Sequence, residues 1–521
     1  MLDESVRLVP SSSTRSADLT RATLLIILLA GVAVRVAYAV GATGLFHPDD
    51  IHQTLEPAHG VVYGVGLRFW EFERGARPWT APGVYVVLLG FLKWLGVTAP
   101  GQYMLVVRVF NALIAATWPY LCYRIARGLS SRRAGLIAAA LCAVWHPFIL
   151  LAPRSFANLF SITFALWACA RAVDGGTPAG APFGRRAALA CGLLLGISFA
   201  FRAQEWPAIL GLLTFIVASG HLRMLPWVFC GAAGPVLGAG VLDWITWGLP
   251  FHSVFDYVHS TMYEGYADQF EHMPWHFLFG RLGVLLGLGL ALLAALPLAP
   301  RRALVFGLTV GGVVLGVHAV IPHKEFRYVL TGVVSLLAVT ATGIAALSAR
   351  FERASGSRRV AHSVIAVLVA LWTGASAVRA RAATFVDYGL YAGLAEAKES
   401  PWRFRRDANR ALAHVSAQAD LCGVALFPFG PAIGQARLAS TGGYTYLHRG
   451  VPLVIGLPPP DLHRFINYVI VCPGERGALP AFRDLPVSDH VGTCVIYRRP
   501  EAVTCGSAEL APFSRSWRRT R

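Results

Sequence analysis

Pro82-Gly83-Val84-Tyr85-Val86-Val87-Leu88-Leu89-Gly90-Phe91-Leu92-Lys93-Trp94-Leu95-Gly96-Val97 is the stretch whose reading decides the topology of this chain. It is apolar, but shorter than the ~20 residues a helix needs to cross a bilayer. It opens on a Pro-Gly pair and carries Lys93. We read residues 82–97 as an interfacial or re-entrant helix, not a span. Around it lie longer apolar runs at roughly 22–43, 103–123, 134–152, 155–173, 187–203, 206–220, 225–245, 276–298, 303–320, 328–348 and 361–379. These predict about eleven transmembrane helices, so an all-α polytopic membrane protein.

The arginines test that reading. They cluster at Arg124/Arg127/Arg132/Arg133, Arg171/Arg185/Arg186, Arg223, Arg301/Arg302 and Arg350/Arg353/Arg358/Arg359. With 82–97 kept out of the membrane, every cluster falls on one side, together with Arg7, Arg15 and Arg21 of a polar tail over residues 1–21. Counting 82–97 as a span puts the later clusters on the other side. The positive-inside rule therefore selects a cytoplasmic N-terminus and an external C-terminus. Ala37-Tyr38-Ala39 resembles a signal-peptidase site. The long preceding tail and Arg35 within the run favour an uncleaved anchor.

Composition agrees. The 521 residues are 55% hydrophobic and 14% charged, against about 25% charged in a soluble domain, and mean hydropathy is +0.54. A net charge of +18 raises nucleic acid as a partner. The clustering between apolar runs, with no basic aromatic-interleaved module, argues against it. No internal repeat is visible.

Residues 22–380 thus form the membrane domain, with 44–81 as its first outward loop. Residues 381–521 are read as a small α/β domain outside the membrane, from β-like runs at Val424–Phe427, Tyr468–Cys472 and Thr493–Arg498. Cys422, Cys472, Cys494 and Cys505 lie there and can form two disulfides in an oxidising compartment. They lack the Cys-x-x-Cys spacing of a zinc site. Cys122, Cys142, Cys169, Cys191 and Cys230 sit in apolar runs as small buried residues.

The chemistry concentrates in the outward loops. The first reads Phe46-His47-Pro48-Asp49-Asp50-Ile51-His52-Gln53-Thr54-Leu55-Glu56. On one helix Asp49, Gln53 and Glu56 would share a face. A carboxylate at a membrane surface suits a general base; a solvated loop with a capped helix, or a His/Asp metal site, are the other readings. Trp70-Glu71 follows in an aromatic stretch that suits sugar recognition or an interfacial belt. Between two later spans stands His323-Lys324-Glu325-Phe326-Arg327. Lys324 and Arg327 break the positive-inside trend here. Phosphate binding explains them, and snorkelling at a helix end is the plain alternative. Arg154 with Asn158, Arg202 with Gln204, and Asp243 with Trp247-Gly248 are weaker candidates on the same side.

Taken in order, these segments resemble the dolichyl-phosphate-mannose-dependent α-mannosyltransferases of N-glycan and GPI-anchor assembly. His47-Pro48-Asp49-Asp50, Gln53, Glu56-Pro57-Ala58-His59, Tyr63-Gly64 and Trp70-Glu71 match that family's first-loop pattern. His323–Arg327 matches its late motif, Arg154–Asn158 its Arg-x-x-x-Asn segment, and Asp243…Trp247-Gly248 its Asp…Tyr-Gly segment. Asp50 stands where the family usually has Glu. The likeness covers most of residues 23–330.

The resemblance implies a GT-C fold, with membrane-parallel helices in the first outward loop. It implies inverting transfer of mannose from a polyprenyl-phosphate donor to a glycan or glycolipid acceptor, without a metal or other cofactor. Asp49 would be the base and Asp50 its partner. His323, Lys324 and Arg327 would hold the donor phosphate. His47, Gln53, Glu56, Trp70, Glu71, Arg154, Arg202 and Asp243 would contact substrate. Another lipid-linked sugar, or a lipid-linked glycan transporter, are the alternatives. A transporter calls for charges buried mid-span, whereas these gather at outward helix ends. The Ala/Arg/Gly-rich usage points to a GC-rich bacterium, so that the site faces the periplasm; in a eukaryote it would face the ER lumen.

Overall fold

The computed structural model describes residues 12–174, 183–265, 272–390, 398–427, 441–458, 460–472 and 485–499. The expected tail residues 1–11, with Arg7, and Cys505 lie outside them.

The chain starts as one long helix, α1 (Ser12–Gly41). Its large apolar side chains point outward: Leu25, Ile26 and Leu29 are all exposed. Such a surface is stable only against lipid or other apolar matter. Arg35 is tolerated because its guanidinium turns inward and donates to the carbonyls of Gly31, Cys142 and Ala143.

The first outward loop is built of short helices: α2 (Asp49–His52), α3 (Leu55–Tyr63) and α4 (Trp70–Arg74). Then comes α5 (Thr80–Trp94). It buries Ala81, Tyr85, Leu89 and Leu92 and exposes Val87, Phe91 and Trp94. Both faces are therefore apolar, the inner one against α3 and the outer one exposed among the described residues. That suits a helix lying on a membrane surface, the reading given to 82–97.

The membrane domain continues with α6 (Pro100–Ala115), α7 (Trp118–Leu129), α8 (Arg132–Val144) and α9 (His146–Leu150). After these come α10 (Ala157–Asp174), α11 (Arg185–Phe201), α12 (Trp206–Ala218), α13 (Leu225–Trp247) and the short outward α14 (His252–Val258). Helices α15 (Phe277–Leu286), α16 (Arg301–Phe306), α17 (Val313–Val320), α18 (Leu330–Ser355) and α19 (Arg358–Ala382) complete it. Every expected span falls on a helical segment. Seven of these, among the described residues, are by themselves long and apolar enough to cross a membrane. The spans expected at 134–152, 155–173, 187–203 and 206–220 fall on α8–α9, α10, α11 and α12, which are shorter or less apolar. Pro147 makes the break between α8 and α9 at Trp145.

The arginine clusters meet at one end of the bundle. Arg124 pairs with Asp174 at 2.5 Å and Arg133 with Glu352 at 2.8 Å. Arg302 donates to Val173 O. The first loop and residues 321–329 lie at the opposite end, where Arg327 reaches Asp49.

Beyond α19, helix α20 (Arg406–Ser416) and a five-stranded sheet form the C-terminal unit. Strands β1 (Val424–Phe427), β3 (Tyr468–Val471) and β5 (Cys494–Arg498) sit where the β-like runs were read. β2 (Leu453–Ile455) and β4 (Val487–Val491) complete the order β2-β1-β3-β5-β4. β1 runs parallel to β2 and β3, whereas β5 is antiparallel to β3 and β4. Cys472 and Cys494 form a disulfide between neighbouring strand ends, and Cys422 is also disulfide-bonded.

This unit touches the first loop closely. Leu45 N donates to Phe404 O at 2.9 Å and Asn409 Nδ2 to Thr43 O at 2.9 Å. A Cβ at Gly44 would collide with the Phe404 carbonyl. Gly44→Ala is expected to destabilise the protein by about 1–3 kcal/mol, the usual cost of overpacking. A lower Tm of the purified chain would show it; an unchanged Tm would mean the contact is not tight in solution.

Candidate active site

Four acids of the first outward loop take four different places. The helix that would align Asp49, Gln53 and Glu56 is broken at Thr54 (φ −136°, ψ −60°), between α2 and α3. The three side chains therefore do not share one face.

Asp49 opens α2. Its Oδ2 receives Arg327 Nη2 at 2.6 Å and lies 3.4 Å from His47 Nδ1. Arg327 also pairs with Glu325 through Nε–Oε2 at 2.7 Å. His323 and the Tyr328 hydroxyl bond Glu325 Oε1 at 3.0 and 2.7 Å. The Arg327 and Glu325 side chains are 1% and 2% exposed, whereas those of Asp49, His47 and His323 are 22%, 19% and 28% exposed. The buried pair thus forms the floor, and Asp49 with the two histidines forms the accessible rim. Desolvation alone would raise the Asp49 pKa, but the charges of His47 and Arg327 outweigh it and hold the carboxyl well below the usual range. Glu325 is likewise held low against desolvation, chiefly by Arg327.

Asp50 points elsewhere. Its Oδ1 accepts from Ser155 N at 2.7 Å and Ser155 Oγ at 2.9 Å, with Arg154 Nη1 3.6 Å from Oδ2. Arg154 itself donates to Gly44 O and the Tyr38 hydroxyl. Both residues anchor the loop from beneath. Asn158 lines a small cavity with Arg154, Phe156 and Arg327; its buried Oδ1 has no hydrogen-bond partner.

Glu71 Oε1 receives Gln53 Nε2 at 3.1 Å and Arg77 Nε and Nη2 at 2.9 and 2.6 Å. Trp70 begins the same helix, α4, and is half-buried. Asp243 lies in α13 and accepts from Ser253 N and Oγ at the start of α14, so it orders the outward turn between them. Glu56 faces the C-terminal unit: Oε1 accepts from Thr445 N (2.7 Å) and Thr445 Oγ1 (2.9 Å), and Oε2 from Leu67 N (2.8 Å). Nearby His59 Nε2 meets His448 Nδ1 at 3.0 Å. Burial raises Glu56 to about 7 despite these bonds, and lowers His59 to about 3.

Lys324 is placed differently from its expected phosphate role. Its ammonium donates to the carbonyls of Met273, Ile321 and Pro322, and the residue is 2% exposed. Arg202, at the end of α11, is 3% exposed and stacks 5.3 Å from the Tyr328 ring. Sequence reasoning gave no role to Arg77, Tyr257 and Tyr328, although Arg77 stacks 4.8 Å from Tyr257 beside the same site. The signal existed: Arg77 breaks the positive-inside trend just as Lys324 does. Among the described residues no group of three or more His, Cys, Asp or Glu is arranged to hold a metal ion.

The sequence pattern of the Alg9-like mannosyltransferase family matches residues 26–414. The chain belongs to that family. Mannosyltransferase APTG1 of Arabidopsis thaliana is 25% identical over 315 residues, 57% of this chain and 55% of the relative. GPI mannosyltransferase 3 of Yarrowia lipolytica is 26% identical over 310 residues, 58% and 59% of the two chains. The human GPI alpha-1,2-mannosyltransferase 3 is 22% identical, covering 61% and 57%. The match thus spans little more than half the length of these relatives. ArnT from Cupriavidus metallidurans, solved bound to undecaprenyl phosphate, superposes with a TM-score of 0.56 at 11% identity, covering 95% of this chain and all of that one. The GT-C membrane fold expected from the motifs is the fold found.

The buried Glu56 makes the loop contact pH-dependent. A carboxyl whose pKa rises from 4.5 to about 7 on folding contributes stability that is fully present below the lower value and lost as pH rises through the upper one. Hydrogen exchange at 441–447, corrected for intrinsic rate, is expected to speed up between about pH 5 and 7 and to level off above that. Glu56→Gln should flatten that dependence. A pH dependence unaltered by the substitution would assign it to another group.

Proposed function

We propose that this chain moves mannose from a polyprenyl-phosphate carrier to a hydroxyl of a glycan or glycolipid, with inversion at the anomeric carbon, on the external face of the membrane. One observation carries the reading. A partly exposed carboxylate, Asp49, is held ionised by Arg327 of the late motif, at the outward end of a lipid-facing bundle. Family membership supports mannose as the sugar. The ArnT complex with undecaprenyl phosphate supports a lipid phosphate in this fold.

The acceptor hydroxyl hydrogen-bonds Asp49 and attacks the anomeric carbon. The new O–C bond forms as the bond from carbon to phosphate oxygen breaks, and the acceptor proton passes to Asp49. So acidic a carboxyl is a weak base in the resting site. An incoming phosphate changes that: its negative charge offsets Arg327 and raises the Asp49 pKa. The leaving group is stable as an anion and calls for charge stabilisation rather than protonation, so the proposal includes no metal or other cofactor. Asp50 and Arg154 hold the loop that carries Asp49. Gln53, Glu71, Trp70 and His47 line the acceptor side, and Asp243 orders the turn opposite. The external orientation rests on the arginine clusters at the far end and on the disulfide-bonded C-terminal unit beside the site.

Purified full-length protein with radiolabelled β-mannosyl undecaprenyl phosphate and a panel of glycolipid acceptors tests the reading. The wild type should yield an α-linked product, and Asp49→Asn should slow transfer by about 10²–10⁴-fold. Full activity in pure Asp49→Asn protein would defeat it. His47→Asn removes one of the charges that depress Asp49. It should move the acid limb of the rate profile upward by roughly one pH unit, whereas an unmoved limb would mean that another group sets it.

A further inference from the structure

The late motif supplied the expected cations for a donor phosphate, and the structure leaves little of them free. Lys324 is enclosed by carbonyls. Arg327 is engaged by both Asp49 and Glu325. Arg202 is different. It is 3% exposed, forms no ion pair among the described residues, and its Nε and Nη1 are buried without a hydrogen-bond partner. Arg327 Nη1 is likewise without a hydrogen-bond partner, but Arg327 has carboxylates against it and Arg202, among the described residues, has none, and a buried charge is rarely left so. The Tyr328 ring covers one face of the guanidinium at 5.3 Å, which orients it without satisfying its N–H groups.

Its surroundings point one way. The like charges of Arg77 and Arg327 both act on Arg202, as do the Tyr257 and Tyr328 phenols. Arg77 commits Nε and Nη2 to Glu71 and in turn feels the charge of Asp49. Glu205, which feels the charge of Arg202, takes the Thr331 hydroxyl on Oε1 and forms no ion pair with Arg202 among the described residues. The guanidiniums of Arg77, Arg202 and Arg327 thus lie near enough to act on one another. Asp49, Glu71 and Glu325 are all bound to Arg77 or Arg327, so of these three guanidiniums Arg202 is the one with no ion pair among the described residues.

We propose that Arg202 is the principal binding residue for the donor's phosphate, its two-donor edge taking two phosphate oxygens, with Arg77 as the second cation. A planar fork suits a phosphodiester better than the compact ammonium of a lysine. The phosphate then lies across from Asp49, and the guanidinium charge stabilises it as it leaves. This deepens the transferase reading and rests on it for the identity of the lipid phosphate.

Native mass spectrometry and donor kinetics on the full chain test it. The probes are undecaprenyl phosphate, undecaprenol without phosphate, and inorganic phosphate. Arg202→Gln should weaken undecaprenyl phosphate binding tenfold or more and raise the donor KM similarly, leaving undecaprenol binding unchanged. Arg202→Lys, which keeps the charge and serves if the glutamine variant does not fold, should lose less but still raise the donor KM. Undecaprenyl phosphate binding and donor KM at wild-type values in either variant would overturn the assignment, as would undecaprenol or inorganic phosphate binding the wild type as tightly as the lipid phosphate. The two readings fail separately. A wild type that binds lipid phosphate through Arg202 yet transfers no mannose defeats the transferase proposal alone. Mannose transfer that ignores Arg202 defeats this one alone.

Discussion

The end of the bundle that carries the first loop depends on one buried guanidinium. Arg327 is almost wholly shielded from water, and its charge is supportable only because two carboxylates meet it, one from its own turn and one from 278 residues away. Removing a partner from such a pair costs about 3–5 kcal/mol, because a buried charge is then left uncompensated. The pairing fixes the first loop against the start of α18. It also sets the state of Asp49, so the contact that positions the loop is the one that holds its acid ionised.

Around that pair, the loop's acids differ by environment rather than by type. Asp50 is immobilised by Ser155 and Arg154 and serves as an anchor. Glu56 is enclosed at the seam with the C-terminal unit. Glu71 is the counter-ion of Arg77. Asp49 keeps an accessible edge beside an open rim. What distinguishes the proposed base from its neighbours is the direction each short helix gives its side chain, and so the break at Thr54 matters as much as the motif.

Much of the architecture was legible in the sequence because the bilayer imposes it. Apolar runs must be helices, and arginine must stay on one side. β1, β3 and β5 were readable as apolar runs between turns. β2 is apolar, Leu-Val-Ile, but only three residues long and so too short to stand out, and β4 reads Val-Ser-Asp-His-Val, with polar residues at its centre. The site was legible as a set of segments. Its wiring was not, because charge identity does not reveal which partners a side chain meets. Lys324 and Arg202 exchanged expected prominence for that reason. A lysine in a striking motif turned to backbone carbonyls, while an arginine with no motif of its own remained without an ion pair among the described residues.

The seam at Glu56 has a consequence for how the protein matures. Thr445, which completes the hydrogen bonding of Glu56, follows it by 389 residues. The loop carrying Asp49 is therefore synthesised well before the segment that closes over it. It must wait for the whole bundle to insert and for the C-terminal unit to fold at its disulfides. Until then Glu56 lacks the partners that enclose it, and the setting of the loop is completed by chain made long after the loop itself.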